Sequence, residues 1–236
     1  MIINPYKNGI KLALAMAAGA AVIFSHIPKS DAHGDVAPQA VDTTGLPNLG
    51  EEWLEENPWR DPNGEFWSTA VKIGASGFNQ NCARCHGLEV ISGGLAPDLR
   101  FLEADDSGDE WFLERFKHGY TQNGTTKMPA FGELLGQEAA WAIRTYIETR
   151  PDEGAIDEHA DRLKAIREEL STLKPDDPKV AELRDEMQKI AETIETGSGA
   201  PRADSVASRA AADLDGSETS IHKAVETLTI GLSAAE

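Results

Sequence analysis

The chain has 236 residues, 26% of them charged and 6% aromatic, which is ordinary for a globular protein of one or two domains. Its 40 acidic and 22 basic side chains give a formal net charge of −18. This excess of acid argues against nucleic acid and against anionic lipid as binding partners, because phosphates need Lys and Arg to displace their counterions. It favours a partner with a basic patch.

The first 32 residues have the features of a secretion signal. Basic residues precede an apolar run from Leu12 to Ile27, and Ser30-Asp31-Ala32 forms a small-x-small cleavage site. The alternative is a membrane anchor, but the run is shorter than the roughly 20 apolar residues that a spanning helix needs. We therefore predict that the segment 1–32 is a cleaved signal peptide and meets the membrane only before cleavage. Its loss removes three Lys and one Asp, so the formal charge changes from −18 to −20.

Residues 33–64 contain four prolines and no clear hydrophobic period, so we expect extended chain that wraps the domain. A first helix is predicted over about 68–81. Its apolar face carries Val71, Ala75 and Phe78, and Gly74 allows another helix to approach closely.

The only two cysteines of the chain follow this helix, in the segment Asn-Cys-Ala-Arg-Cys-His-Gly. Cys82, Cys85 and His86 form C-x-x-C-H, the haem attachment signature. Each thiol can add to one vinyl group of a haem, while the imidazole reaches the iron. A disulfide, a thioredoxin-like redox pair and half of a zinc site are the alternatives. The last two would want a βαβ pattern or a second pair of ligands, and neither is visible.

Pro97 lies about ten residues beyond this motif, in Gly93-Gly-Leu-Ala-Pro-Asp-Leu-Arg100. A ligating histidine normally donates its other ring N–H to a backbone carbonyl, which fixes the tautomer and the ring plane. The stiff backbone at Pro97 suits such a carbonyl, although an ordinary turn also explains the proline. Arg100 and Trp111 are candidate donors to a haem propionate, but a Trp at a helix start is as often a core residue.

A second helix is predicted over 108–118, because Ser107 and Glu110 form a capping box before it and Gly119 follows its end. A third helix is predicted over about 137–149. The expected contacts between the first and third helices are those of Gly74 and Phe78 with Ile143 and Tyr146.

Met128 is the candidate for a sixth iron ligand. Met opposite His raises the potential of a cytochrome c iron, and the other methionines fall in the signal or at a heptad core position. Met128 sits in a loop between Gly124 and Pro129, where a rigid backbone can hold a thioether toward iron. A gap-filling methionine is the alternative. His118 is the alternative ligand, although it is better explained as a solvated residue.

These elements predict an all-α domain over 33–150 around one covalent haem, followed by an acidic, alanine-rich extension over 151–236. Because much of the core would be porphyrin, the apoprotein should be poorly folded. In the extension, heptad spacing predicts a helical hairpin over about 156–195. A linker over 196–216 and a last helix over about 217–232 are expected after it.

Several segments of the sequence together resemble the PedF-type class I cytochromes c, relatives of the cytochrome that serves methanol dehydrogenase. The resemblance covers about residues 33–150. It is carried by Asp35 to Asp42, Ile73 to Glu89 (IGASGFNQNCARCHGLE), Ser92 to Arg100 (SGGLAPDLR), Asp109-Glu-Trp-Phe112 and Trp141-Ala-Ile-Arg-Thr-Tyr146.

The resemblance implies a class I cytochrome c fold and a periplasmic carrier that is not an enzyme. Such a carrier takes single electrons from a pyrroloquinoline-quinone (PQQ)-dependent alcohol dehydrogenase and passes them to a downstream cytochrome or terminal oxidase. It also implies haem attachment at Cys82 and Cys85, proximal ligation by His86 and distal ligation by Met128. The extension has no counterpart in this pattern.

Other functions fit parts of the same sequence. A haem enzyme such as a peroxidase, or a gas sensor, would need an open or labile sixth iron position. A cytochrome subunit fixed in a larger oxidoreductase could be held through the extension. The hairpin seam could also join a second copy of the chain through residues 152–195, or the extension could be a solvated tail.

Overall fold

The structure is a computed structural model that describes residues 38–233, which belong to one compact unit. The predicted signal 1–32 and its cleavage site at Ala32 lie outside the described residues, so export stays a prediction. None of the helices between residues 38 and 233 is long and apolar enough to cross a membrane.

The described chain is mostly helical. Its helices α1 to α4 and its two strands precede residue 150, and helices α5 to α8 follow it. Single 3-10 turns occupy Leu88–Val90 and Leu99–Phe101. The elements are α1 (Trp67–Asn81), α2 (Ala83–His86), α3 (Asp106–His118), β1 (Tyr120–Gln122), β2 (Thr125–Met128), α4 (Gly132–Glu148), α5 (Asp157–Thr172), α6 (Pro178–Thr193), α7 (Val206–Ala212) and α8 (Glu218–Gly231).

Helices α1 and α4 cross at the residues that the sequence predicts. A Cβ on Gly74 would lie 1.9 Å from the carbonyl oxygen of Ala142, so only glycine permits this approach. The Phe78 and Tyr146 rings meet nearby with centroids 5.5 Å apart. This close crossing fixes the end of α1, and therefore the segment that follows it.

The chain between residues 38 and 66 has no helix or strand and lies along α4, as its prolines predict. The side chain of Gln137 donates to the carbonyl of Glu52 at 3.0 Å and accepts from the N–H of Leu54 at 3.1 Å. Further along, the N–H of Asn57 donates to buried Asp109 at 2.8 Å. This segment therefore covers the outer side of α4 through polar contacts.

Two local elements differ from the prediction. The segment that holds Met128 is the second strand of a short antiparallel hairpin rather than an irregular loop, and Tyr120 pairs with Met128. Helix α3 begins at Asp106, because the side chain of Asp105 rather than Ser107 caps it by accepting from the N–H of Gly108.

Residues 157–232 build a second hydrophobic core. The core-facing residues of α5 and α6 are buried, and Leu163, Leu183 and Met187 are at most 2% exposed. They pack against α7 and α8. The expected linker 196–216 is not open chain over its whole length, because α7 lies within it and buries Val206 and Ala210. Its alanines carry no heptad pattern, which is why the spacing rule missed this helix.

Candidate functional site

The C-x-x-C-H motif directly follows α1 and ends in the single helical turn of α2. The N–H of Cys82 donates to the carbonyl of Phe78 at 2.7 Å, and the N–H of His86 donates to the carbonyl of Cys82 at 2.9 Å. Both cysteines are free thiols rather than a disulfide. Burial, with a smaller contribution from Cys85, raises the pKa of the Cys82 thiol to about 12.

The imidazole of His86 is buried and oriented by one contact. Its Nδ1 lies 2.9 Å from the carbonyl oxygen of Pro97, and the residue is 8% exposed. This is the hydrogen bond that the sequence predicts. Burial lowers the pKa of His86 and outweighs the opposite effect of the Pro97 bond, so the neutral form of the imidazole is favoured. Within residues 38–233, Nε2 has no hydrogen-bond partner, so it is available to a metal.

The backbone turns sharply directly after this histidine. Gly87 has φ of +81°, and a Cβ there would lie 1.8 Å from the carbonyl oxygen of Ile91. Four residues of the segment after this turn have large apolar side chains that are exposed. These are Leu88, Ile91, Leu95 and Phe101, between 45% and 72% exposed.

Met128 lies at the end of β2 and is half-buried. It packs against the same apolar cluster as Cys82, a cluster that includes Val90 and Leu99. Gly119 holds its strand close to α3, since a Cβ on that glycine would lie 2.5 Å from the carbonyl oxygen of Met128. The structure thus brings Met128 and Cys82 to one hydrophobic cluster.

Arg100 is 9% exposed and is held by Asp98, with Nη2 to Oδ2 at 2.7 Å. Burial alone would raise the pKa of Asp98, but the hydrogen bonds and charge of Arg100 outweigh it and leave that pKa lowered. The Nη1 of Arg100 has no hydrogen-bond partner among the described side chains and backbone. It is therefore free to meet an anionic group such as a carboxylate.

Trp111 and His118 lie on the surface of α3. Trp111 is 39% exposed, and the guanidinium of Arg115 sits 5.4 Å from its ring centroid. His118 is exposed, with Nε2 3.9 Å from the carboxylate of Glu114. The solvated role predicted for His118 fits this placement, and the core role considered for Trp111 does not.

One polar network of the site was not predicted. Glu89, three residues after His86, accepts from the buried guanidinium of Arg150 at 2.6 Å and from Arg209 at 3.5 Å. Arg150 also donates to Asp204 at 2.5 Å. Arg150 and Arg209 lie 61 and 120 positions from Glu89 in the sequence, and no periodic pattern connects them with it. The only available signal was the unexplained charge of Glu89, two residues after C-x-x-C-H-G.

The residues present fit a haem. Two free thiols one helical turn apart, a buried imidazole with an unpartnered Nε2 and a set of exposed apolar side chains beside it suit a flat, apolar, covalently attached iron cofactor. Fold and site together define a cytochrome c domain.

Comparison with known proteins also identifies a cytochrome c domain. The family model "Cytochrome C oxidase, cbb3-type, subunit III" matches residues 69–147. Cytochrome c550 of Pseudomonas aeruginosa is 50% identical over 143 residues, which cover 61% of this chain and 95% of that protein. The chain therefore belongs to the cytochrome c550 family, a membership that implies haem c as its cofactor.

Two further relatives are larger proteins. Quinohemoprotein alcohol dehydrogenase ADH IIB of Pseudomonas putida is 34% identical over 89 residues, which cover 38% of this chain but 12% of that enzyme. The cbb3-type cytochrome c oxidase subunit FixP of Rhizobium meliloti is 30% identical over 98 residues, or 36% of this chain and 32% of that subunit. No solved structure matches significantly.

Proposed function

We propose that this chain is a periplasmic, mono-haem electron carrier. It takes single electrons from a PQQ-dependent alcohol dehydrogenase and passes them toward a downstream cytochrome or terminal oxidase, without catalysing a reaction of its own. The observation that carries the proposal is the His86 imidazole, held at Nδ1 by the carbonyl of Pro97 beside two free thiols. When bound, haem c supplies an iron that gains and loses one electron.

Each residue has one role in this proposal. Cys82 and Cys85 form the thioether links, and their helical turn sets the position of the next residue. His86 ligates through Nε2 while the Pro97 carbonyl fixes its tautomer and ring plane. Met128, which packs against the shared apolar cluster, would supply a second protein ligand to the iron.

The other two predicted cofactor contacts differ in support. The free Nη1 of Arg100 supports a contact with a haem propionate, because the Asp98 pair already orients the guanidinium. Trp111 has weaker support as a propionate donor, since its exposed ring partners Arg115.

The ligand assignment is tested by absorption spectra of the oxidised full-length holoprotein. Met–iron ligation gives a weak near-infrared band, which we expect in the wild type and in Met187→Leu but not in Met128→Leu. Met187 is the matched control, because it is fully buried in the separate core of α5 to α8. A band that survives in Met128→Leu, or that is missing from the wild type, would contradict the assignment.

The donor assignment rests on the similarity to two quinohemoprotein alcohol dehydrogenases, in which only about an eighth of the enzyme matches this chain. We infer that a domain like this one serves a quinoprotein alcohol dehydrogenase, here as a separate protein. A catalytic amount of purified PQQ-dependent alcohol dehydrogenase, supplied with its alcohol, should reduce all of the oxidised cytochrome. No reduction by such enzymes would refute the donor, while the near-infrared band would still report on the ligands.

A second candidate is a cytochrome subunit fixed in a larger oxidoreductase. The names of the matching family model and of FixP favour it, since both belong to cbb3-type oxidases. This candidate predicts that the chain copurifies with an oxidase at constant stoichiometry. A free carrier elutes alone in size-exclusion chromatography.

A further inference from the structure

The turn that follows the haem motif has a strained backbone. Glu89 and Val90 have φ of +52° and +66°, in the left-handed region that residues other than Gly, Asn and Asp rarely adopt. The strain is larger for Val90, which is β-branched and fully buried. Such a conformation persists only where surrounding contacts hold it.

The polar contacts of Glu89 come from Arg150, just after α4, and from the C-terminal segment. The carboxylate of Glu89 accepts from Nη1 of Arg150, and Arg209 of α7 approaches the same oxygen. Asp204 accepts from both arginines, at 2.5 Å and 3.2 Å, and so keeps the two positive charges together. We call these four residues, Glu89, Arg150, Asp204 and Arg209, the Glu89 clamp.

The same C-terminal segment also contacts the second segment that borders His86. A Cβ on Gly197 would lie 2.8 Å from the carbonyl oxygen of Arg100, and the N–H of Ala104 donates to the carbonyl of Ser198 at 2.9 Å. Residues 197–209 therefore contact the chain on both sides of Pro97, whose carbonyl orients the imidazole.

We propose that Asp204 and Arg209 are positioning residues for His86. Through Glu89 they hold the turn at 88–90, while Gly197 and Ser198 of the same segment contact the chain at Arg100 and Ala104, so that the Pro97 carbonyl keeps its place at Nδ1 of His86. They lie beyond residues 69–147, which the family model matches. This gives the C-terminal extension a function within its own chain. The inference rests on the proposed role of His86 as the proximal ligand.

The first test is amide hydrogen exchange of the full-length holoprotein in Arg209→Ala. We expect amides of residues 88–101 to exchange about fivefold faster, as for loss of a partly exposed ion pair that holds a local turn. Arg184→Ala is the matched control. It removes the same charge from the same half of the chain at similar exposure, 38% against 34%. Within the described residues, however, Arg184 forms an ion pair only with Asp185. Arg209→Lys should restore much of the protection.

The second test is the reduction potential, which a purely structural contact would not move. Arg209→Ala should shift the potential in the wild-type background and cause no further shift in Glu89→Gln, because its effect passes through Glu89. An equal shift in both backgrounds would overturn the proposal in favour of a direct effect of charge. Unchanged potential, or unchanged exchange at 88–101, would overturn it as well. The exchange result does not depend on which dehydrogenase reduces the protein, so failure of the donor assignment is recognised separately.

Discussion

The glycine that follows His86 adopts a backbone conformation that other residues do not reach without strain. Gly87 has φ of +81° and ψ of 159°, and the carbonyl of Ile91 occupies the place of a Cβ. We expect Gly87→Ala to lower the free energy of unfolding of the holoprotein by at least about 2 kcal/mol, from backbone strain and the displaced carbonyl together. Denaturant titration measures this change.

Gly93→Ala is the control for this experiment. Gly93 lies in the same segment, but its φ is outside the left-handed region and no atom lies within 4 Å of an added Cβ. We expect this substitution to change the unfolding free energy by no more than about 0.5 kcal/mol. Equal costs at the two positions would show that the turn after His86 does not require glycine.

Single residues of the site were predictable where chemistry fixes the spacing. A histidine directly after two thiols and a proline about ten residues later sufficed to predict the contact between His86 and Pro97 that the structure shows. The partners of Glu89 were not predictable, because Arg150 and Arg209 reach it only after α4 and α7 have packed. Sequence reasoning has no rule for ion pairs between residues that distant.

At the scale of helices, the apolar seam of the C-terminal half is closed within one chain. Leu228 of α8 is fully buried in the core of α5 to α8, whereas Ile230, two positions later on the same helix, is 67% exposed. We expect Leu228→Ala to lower the free energy of unfolding by about 2–5 kcal/mol and Ile230→Ala by no more than about 0.5 kcal/mol. Thermal or chemical denaturation followed by circular dichroism measures both values.

The same burial bears on self-association through residues 152–195. Seam residues such as Leu163 and Met187 are fully covered by the chain's own α7 and α8, so the seam offers no surface to a second copy. If Leu228→Ala lowered the free energy of unfolding no more than Ile230→Ala does, the seam would not be packed in this way in solution.

Helix existence was easier to predict than helix boundaries. Apolar faces predicted α1 and α4, and capping signals predicted α3. The main part of α4 begins at Gln137 because Gly136, at φ +74°, breaks the first turn from the rest. The hairpin of β1 and β2 was missed because its residues are mostly exposed and lack alternation. Helix α7 was missed because alanine and serine suit linkers and helices alike.

At the scale of the whole molecule, acidic charge is shared by both halves of the chain. Residues 33–150 contain 19 acidic and 9 basic side chains, and residues 151–236 contain 20 and 10. The excess of ten is the same in each half, so the long-range field belongs to the whole protein rather than to the extension. A field of this kind steers a partner with a basic patch and increases the rate of encounter.

Salt should therefore slow the reduction of the cytochrome by its donor. Because ions screen charges beyond a Debye length of about 10 Å at 0.1 M, we expect the second-order rate to fall about tenfold between roughly 10 mM and 200 mM ionic strength. Stopped-flow absorption of the haem measures this rate. An uncharged one-electron reductant is the control, and its rate should stay nearly constant because no charge steers it. A donor rate that stays equally constant would mean that the acidic surface keeps the protein soluble and does not guide its partner.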